Sequence, residues 1–121
     1  MIINNEQTIK EIQAAFNAMF PGLKIEFYSE EHKSQEGSPA ASQYGPNETI
    51  GNIRKTKGTS DIAIDPEMSV ESLERAFHDN LGLNIQIFRR SNQLWLQTSK
   101  TDSWSLKEQN RKGLASVQDQ G

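Results

Sequence analysis

The chain contains two histidines, His32 and His78, and no cysteine. Zinc sites are built from cysteine, histidine and carboxylate ligands, and catalytic sites often place two histidines four residues apart on one helix. These two histidines are far apart in sequence, and the lack of cysteine excludes both a thiolate ligand set and a disulfide framework. The sequence therefore predicts no metal site, with both histidines on the solvated surface.

The carboxylates also lack a catalytic pattern. The ones near turns or in polar stretches are Glu30, Glu31, Asp61, Asp65 and Asp102. None has the spacing of a calcium loop or of a paired acid and base, and Asp61 and Asp65 are explained by the end of a strand and the turn after it. The Gly-Ser stretches at 36–38 and 58–60 lack the lysine of a nucleotide-binding loop. We expect no catalytic residues and no cofactor.

Aromatic and basic side chains are the strongest candidates for a binding surface. Tryptophan and tyrosine dominate interaction hot spots where they are exposed. Aromatic rings on an open sheet, with basic residues nearby, also stack bases in RNA-recognition modules. The glycine-and-aromatic motif of those modules is absent, and the net charge of −3 disfavours nucleic acid. The candidate binding residues are Tyr28, Phe88, Arg89, Arg90, Trp95 and Trp104.

Capping residues predict where the helices begin. Thr8 and Ser105 are each followed three residues later by a glutamate, the spacing of a capping box. Ser69 precedes an apolar stripe that a glycine ends. Three helices are therefore predicted. The last should be short and end at Gly113, which would leave 114–121 as a disordered tail.

Alternation of apolar and polar residues predicts the strands. They lie at 23–28, 62–64, 83–88 and 94–98. The last two should form a hairpin in which Phe88 lies opposite Trp95, and Leu94 and Leu96 should face the helices. Lys24, Phe88 and Trp95 would then lie on the opposite, open face.

Length and composition predict one domain over residues 1–113. Residues 30–48 are almost free of aliphatic side chains, so we expect a mobile loop there. Residues 49–57 fit a helical turn slightly better than a strand and are left open between the two. No segment has the apolar run of a signal peptide or a membrane span, so the cytoplasm is the expected location and no membrane contact is expected.

Residues 8–28 align with 69–88, which suggests an internal repeat of a strand-helix-strand unit. Two such units in tandem predict an α+β fold of the ferredoxin-like type, a two-layer sandwich with both helices on one face of an antiparallel sheet. An extra C-terminal strand and a short helix would follow. We expect that helix to cover the open face, with Trp104 packed on Trp95 and Phe88.

Three segments resemble short uncharacterised bacterial proteins. They are Gly82 to Arg89, Leu94 to Leu96, and Thr101 to Trp104 with Glu108, Gln109 and Asn110. The resemblance spans nearly the whole chain. It implies a compact α+β domain and transfers no activity and no site residues.

The leading hypothesis is a non-enzymatic interaction module that binds another protein, or a second copy of itself, through a sheet edge or an aromatic surface. One alternative is a small enzyme or ligand-binding protein with a cleft under the 30–48 loop, into which His32, Tyr44 or Arg54 reaches. Another is an RNA-binding sheet, with Lys55 and Lys57 adding phosphate contacts.

Overall fold

The computed structural model of the chain describes residues 1–29, 42–56 and 61–118, and within them it shows an α+β fold, as predicted. Most of the predicted mobile loop, residues 30–41, lies outside the described residues. The elements are β1 (Ile2–Ile3), α1 (Ile9–Met19), β2 (Leu23–Tyr28), α2 (Ile50–Ile53), β3 (Ile62–Ala63), α3 (Val70–Leu81), β4 (Asn84–Ser91), β5 (Leu94–Gln97), a 3-10 turn (Ser99–Thr101) and α4 (Leu106–Gln118).

The described strands form two antiparallel sheets rather than one. β1 pairs with β3, and β4 lies between β2 and β5 in a separate sheet. A ferredoxin-like sandwich has all its strands in a single sheet, so that finer prediction is not confirmed. β1 and β3 are two residues each and pair with each other, so within the described residues neither is hydrogen-bonded to the three-stranded sheet.

One hydrophobic core joins the helices to both sheets. The apolar stripes of α1 and α3 pack on it, and Leu106 from α4 is fully buried in the same cluster. The largest fully buried side chains are Phe16, Phe27, Phe77, Ile3, Ile9, Ile12, Leu23, Ile25, Ile50, Leu73, Leu83 and Ile85. Ile50 belongs to α2, so the segment left open between helix and strand is a helical turn that contributes to the core.

β4 and β5 form the predicted hairpin, but in a register shifted by two residues. Phe88 lies opposite Gln97, not opposite Trp95, whose partner is Arg90. The turn falls one residue later than predicted because Asn92 adopts a φ of 56°, in the left-handed region that asparagine tolerates. A shift of two residues keeps each side chain on its face, so Phe88 and Trp95 still share the open face.

α4 is longer than the sequence predicts, and its end at Gly113 is wrong. The helix continues to Gln118, so it includes 114–118 of the predicted disordered tail, while 119–121 lie outside the described residues. Gly113 is buried inside the helix, where an added Cβ would lie 2.5 Å from the carbonyl oxygen of Gly22. The glycine therefore permits a close approach of two backbones rather than a helix stop.

The helices of the described chain begin with the same local geometry. Each N-cap is a serine or threonine whose hydroxyl oxygen accepts a hydrogen bond from the backbone N–H three residues later. The four caps are Thr8, Thr49, Ser69 and Ser105. At Thr8 the reciprocal bond to Glu11 completes the capping box. The caps predicted at Thr8, Ser69 and Ser105 are confirmed, and Thr49 adds a fourth.

The helix starts are joined in two pairs. Thr8 lies opposite Thr49, and Ser69 opposite Ser105, in isolated antiparallel bridges. In each pair the first helical N–H donates to the carbonyl just before the partner's cap, at 2.9 and 3.0 Å in the first pair and 3.1 and 2.8 Å in the second. The second N–H of each helix also donates to a carbonyl in the other member's turn. Because the caps satisfy the third, the first three N–H groups of each of these helices are all occupied and do not form an anion site.

Candidate interaction surface

The C-terminal helix packs on the core face of the sheet. Arg89 points to this face, where its guanidinium carbon lies 5.5 Å from the ring centroid of Trp104 and its Nη1 donates to Oε1 of Gln109 at 2.9 Å. Side chains alternate along a strand, so the neighbours of Arg89 point to the other face. The prediction that α4 covers the open face, with Trp104 packed on Trp95 and Phe88, is therefore wrong.

Two contacts explain why α4 lies where it does. The bridge between Ser69 and Ser105 places the start of α4 beside the start of α3. Further along the helix, Gly113 lies against Gly22 at the start of β2, and the Gly22 N–H donates to Oδ1 of Asn110 at 2.7 Å. Both ends of α4 are thus held on the core face, and the opposite face of the sheet stays free of it.

Three of the predicted binding residues meet on the open face. Phe88, Arg90 and Trp95 lie together, and Lys24 from β2 joins them. The Lys24 Nζ is 5.0 Å from the ring centroid of Phe88 and 5.3 Å from that of Trp95, while the Arg90 guanidinium carbon is 5.5 Å from the Trp95 ring. All four side chains are partly exposed. We call these four residues the cation-aromatic face.

The cation-aromatic face is positively charged. Within the described part of the chain, neither Lys24 nor Arg90 takes part in a salt bridge. The neighbouring carboxylate on β2, Glu26, instead accepts hydrogen bonds from the side-chain amides of Gln13 and Gln43 at 3.0 and 2.6 Å. Two cations therefore remain without a carboxylate partner there, although the chain as a whole has a net charge of −3.

Tyr28, another predicted binding residue, does not join this face. It lies at the end of β2, is 2 % exposed and pairs with Asn84 and with Gln43 across its two backbone edges. Burial, and to a smaller extent the negative charge of Glu26, raises the pKa of its phenol. The phenol is therefore buried and neutral at neutral pH, and it offers almost no contact area to a partner.

β5 is the outer strand of the three-stranded sheet, and its backbone has a defined phase. Thr98 donates its N–H to the carbonyl of Ile87 at 3.1 Å, and these two residues are directly opposite in the β4–β5 register. In an antiparallel pair, residues that exchange hydrogen bonds alternate with residues that do not. By this alternation Trp95 and Gln97 direct their N–H and C=O groups away from β4. We call these outward groups the β5 edge.

The two leucines of β5 are exposed, contrary to the prediction that they face the helices. Leu94 is 66 % exposed and Leu96 45 %. They lie on the same side of the sheet as Arg89, but α4 packs on β4 and β2, so β5 projects beyond the helix. An exposed apolar pair on an outer strand is the most conspicuous surface feature of this sheet.

The other outer strand of this sheet, β2, is partly covered by residues 42–44. Tyr44 donates its N–H to the carbonyl of Phe27, and Ser29 donates to the carbonyl of Ser42, each at 2.8 Å. These bonds satisfy the C-terminal end of β2. Of the two edges of the three-stranded sheet, β5 is therefore the open one in the part of the chain that is described.

A cavity of about 370 Å³ lies elsewhere, between β1, α2 and α3. Arg54 lines it, but its guanidinium donates to Asn5 Oδ1 at 2.7 Å and to the carbonyls of Thr56 and Asn80 at 2.8 and 3.3 Å. These bonds occupy the arginine in local structure. Of the other residues proposed for a cleft under the 30–48 loop, Tyr44 packs against the core and His32 lies outside the described residues.

We also searched the described residues for a metal site and for a membrane-spanning helix. No group of three or more His, Cys, Asp or Glu side chains is placed to hold a metal ion. Likewise, no helix in the described ranges is both long and apolar enough to cross a membrane. Asp65 accepts a hydrogen bond from the N–H of Glu67 at 2.7 Å, which is the turn role that the sequence predicts for it.

The surface around β5 contains three residues that were not among the candidate binding residues predicted from the sequence. They are Lys24, Leu94 and Leu96. Lys24 was placed on the open face by alternation, but its approach to both aromatic rings depends on packing across three strands. The exposure of the two leucines depends on the position at which α4 packs on the sheet. A signal was present in their sequence, because a four-residue strand with no charge and no proline resembles an unprotected edge.

No protein-family model, no curated protein and no solved structure matches this chain.

Proposed function

We propose that the chain is a non-enzymatic interaction module that binds an extended segment of another protein along β5. The observation that carries this proposal is the β5 edge, whose outward backbone groups at Trp95 and Gln97 alternate along the strand with the exposed leucines Leu94 and Leu96. In strand addition, main-chain hydrogen bonds to such an edge supply affinity, and alternate side chains supply specificity. The segment would extend the sheet to the order β2, β4, β5, partner.

The composition of β5 supports this role. Natural proteins protect outer strands with lysine, proline, bulges or a covering helix, because an open edge otherwise recruits other chains. β5 reads Leu-Trp-Leu-Gln and has none of these residues, while β2 on the opposite side is covered by 42–44. An edge left open on one side only is consistent with a docking strand.

A second copy of the chain is a less favourable occupant. In the two-fold register that is centred on Trp95, two β5 strands would place Trp95 opposite its own counterpart and Leu94 opposite Leu96. The same symmetry would bring two cation-aromatic faces next to each other, each with a Lys24 and an Arg90 that form no salt bridge within the described chain. Like charges at an interface oppose association, so we favour a different protein.

RNA is the second candidate, and the cation-aromatic face is the observation that favours it. Single-stranded nucleic acids bind where aromatic rings stack bases and cations contact phosphates. Phe88 and Trp95, with Lys24 and Arg90 beside them, provide both kinds of group. RNA binding would not use the β5 edge or the exposed leucines, which is why we place it second.

The test is a selection of short random peptides displayed on phage against the purified chain. We expect peptides to be enriched on the wild-type chain and on Gln97→Thr, which keeps the outward N–H. We expect their binding to be lost on Gln97→Pro, which removes that donor and places the proline ring on the outer side of the strand, where it breaks no bond to β4. Peptides that bind the proline variant equally well, or no enrichment at all, would contradict the proposal.

A second measurement locates the bound segment. The backbone amides of Trp95 and Gln97 should become protected from hydrogen exchange when a selected peptide is added, and those of Leu94 and Leu96, already bonded to β4, should change little. Sedimentation of the chain alone distinguishes the second-copy alternative, because self-pairing through β5 would give a dimer that Gln97→Pro dissociates.

A further inference from the structure

Building on the proposed function, we propose that the partner segment carries an acidic residue opposite Trp95, with an apolar residue on each side of it. The chemistry of the partner follows from three properties of the surface around β5. These are the direction of its backbone groups, the exposure of its leucines and the charge of the cation-aromatic face.

The backbone phase fixes which β5 residues form hydrogen-bonded pairs with an added antiparallel strand, namely Trp95 and Gln97. Since Trp95 directs its N–H and C=O outward, a partner residue placed opposite Trp95 exchanges both hydrogen bonds with it. Residues directly opposite in an antiparallel pair point to the same face. The side chain of that partner residue therefore lies on the same side as Phe88, Arg90 and Lys24.

The residues next to it in the partner must point to the other side of the sheet. There they lie opposite Leu94 and Leu96, which are 66 % and 45 % exposed. Burying these two side chains against apolar partner residues removes apolar surface from water, which favours association. The β5 edge thus selects a partner segment in which an apolar residue lies on each side of the residue opposite Trp95.

The charge of the cation-aromatic face selects the central residue. Lys24 and Arg90 both lie within 5.5 Å of the Trp95 ring, and within the described chain no carboxylate neutralises either of them. Arg90 is directly opposite Trp95 on β4, so it lies about two strand spacings, roughly 10 Å, from the partner backbone. A glutamate and an arginine side chain together span that distance, whereas a lysine there would be repelled.

A phosphate from nucleic acid would satisfy the same two cations but not the rest of the surface. It has no backbone N–H and C=O to pair with the β5 edge, and it would leave Leu94 and Leu96 exposed. An extended protein segment with an acidic residue can pair with the β5 backbone, cover Leu94 and Leu96, and neutralise the two cations. We therefore propose such a segment as the partner.

The experiment uses the peptides selected on the wild-type chain, resynthesised in three forms with glutamate, glutamine or lysine at the position opposite Trp95. That position is identified by cross-peaks to the Trp95 amide. Affinity is measured by titration with the wild-type chain, with Lys24→Gln and Arg90→Gln, and with Lys10→Gln as a control in which an exposed lysine of α1, remote from β5, loses its charge.

We expect the glutamate form to bind most tightly and the lysine form least. Lys24→Gln and Arg90→Gln should each weaken the glutamate form about threefold, the scale of one partly exposed ion pair, and leave the glutamine form unchanged. Lys10→Gln should change neither. Binding of the glutamate form should also weaken as salt is added.

The outcomes separate this inference from the proposed function. Peptides that require the β5 edge but bind equally with glutamate, glutamine or lysine would overturn the acidic preference and leave strand addition standing. If every selected peptide binds Gln97→Pro as tightly as it binds the wild-type chain, the proposed function itself is overturned. If oligouridylate displaces the peptides at low salt, and does so less well on Lys24→Gln, the face is a nucleic-acid site and the inference is wrong.

Discussion

Ser69 and Ser105 begin two different helices, face each other across an isolated antiparallel bridge, and each caps its own helix with its hydroxyl. The relationship is reciprocal, because the first N–H of each helix donates to a carbonyl of the other start. Thr8 and Thr49 repeat the arrangement for α1 and α2. The pair at Ser69 anchors α4 next to α3, and this placement keeps α4 away from the open face and from β5.

Loss of the Ser105 cap should destabilise the whole domain. Ser105→Ala removes the acceptor of the Glu108 N–H, and we expect the free energy of unfolding to fall by about 1 kcal/mol, the usual contribution of an N-cap. Urea denaturation followed by circular dichroism measures the change. Ser103→Ala, at an exposed position in the same turn, is the matched control and should stay within about 0.5 kcal/mol of wild type. Equal effects of the two substitutions would argue against the cap.

Gly113→Ala should be destabilising, although alanine is normally better than glycine inside a helix by about 1 kcal/mol. The new Cβ would lie 2.5 Å from the carbonyl oxygen of Gly22, which itself accepts the N–H of Arg90 at 2.9 Å. We expect a loss of about 1 to 3 kcal/mol from the displaced helix, measured by thermal and urea unfolding. Gly45→Ala, where nothing lies within 4 Å of an added Cβ, should be neutral or slightly stabilising.

The local elements were predictable because their signals are local. The caps at Thr8, Ser69 and Ser105 and the end of α3 at Gly82, which has a φ of 64°, are set by nearby side chains and backbone conformation. The hairpin was also predictable, but its register was not, because the sequence Ser-Asn-Gln allows two turn positions. The positive φ of Asn92 selects one of them.

The arrangement of the elements could not be derived from the same signals. Gly113 has the sequence context of a helix stop and acts as a contact point only because Gly22, far away in sequence, lies against it. The single sheet expected from tandem strand-helix-strand units requires β1 and β3 to join the other strands, whereas in the described chain they pair with each other. The candidate surface was therefore half predictable: Phe88 and Trp95 follow from alternation, whereas the exposure of Leu96 follows from where α4 packs.

Gln109 should be the most sensitive polar residue of α4. Its side chain is fully buried, accepts from Arg89 Nη1 at 2.9 Å and donates to the carbonyl and hydroxyl of Thr101 at 2.6 and 2.9 Å. Gln109→Leu leaves these groups unsatisfied, and we expect a loss of about 1 to 3 kcal/mol in the free energy of unfolding.

A double-mutant cycle with Arg89→Met tests whether the two side chains act as a unit. Once Arg89 is gone, Gln109→Leu should cost less, so the two losses should not add. The Trp104 emission should change in both single variants because its ring packs on Arg89. Strictly additive losses would mean that the hydrogen bond between Arg89 and Gln109 contributes nothing, and that Thr101 alone accounts for the effect.

Tyr28 should make the stability of the domain fall at alkaline pH. Burial and the charge of Glu26 raise its pKa in the folded state, whereas an unfolded tyrosine ionises near its ordinary value of about 10. Above that value the unfolded chain has released a proton that the folded chain still holds. The unfolded state then binds fewer protons, so the free energy of unfolding decreases as pH rises from about 10 through the raised pKa of Tyr28.

Two substitutions isolate this effect in denaturation experiments from neutral to alkaline pH. Tyr28→Phe should remove the part of the alkaline decrease that Tyr28 causes. Glu26→Gln should only reduce it, since burial is the larger cause of the raised pKa and Glu26 the smaller. Absorbance of tyrosinate gives the same information directly, because the late-ionising tyrosine should disappear from the titration of Tyr28→Phe. If Tyr28→Phe removes the early-ionising component and leaves the late one, the late ionisation belongs to Tyr44 and the burial of Tyr28 is contradicted.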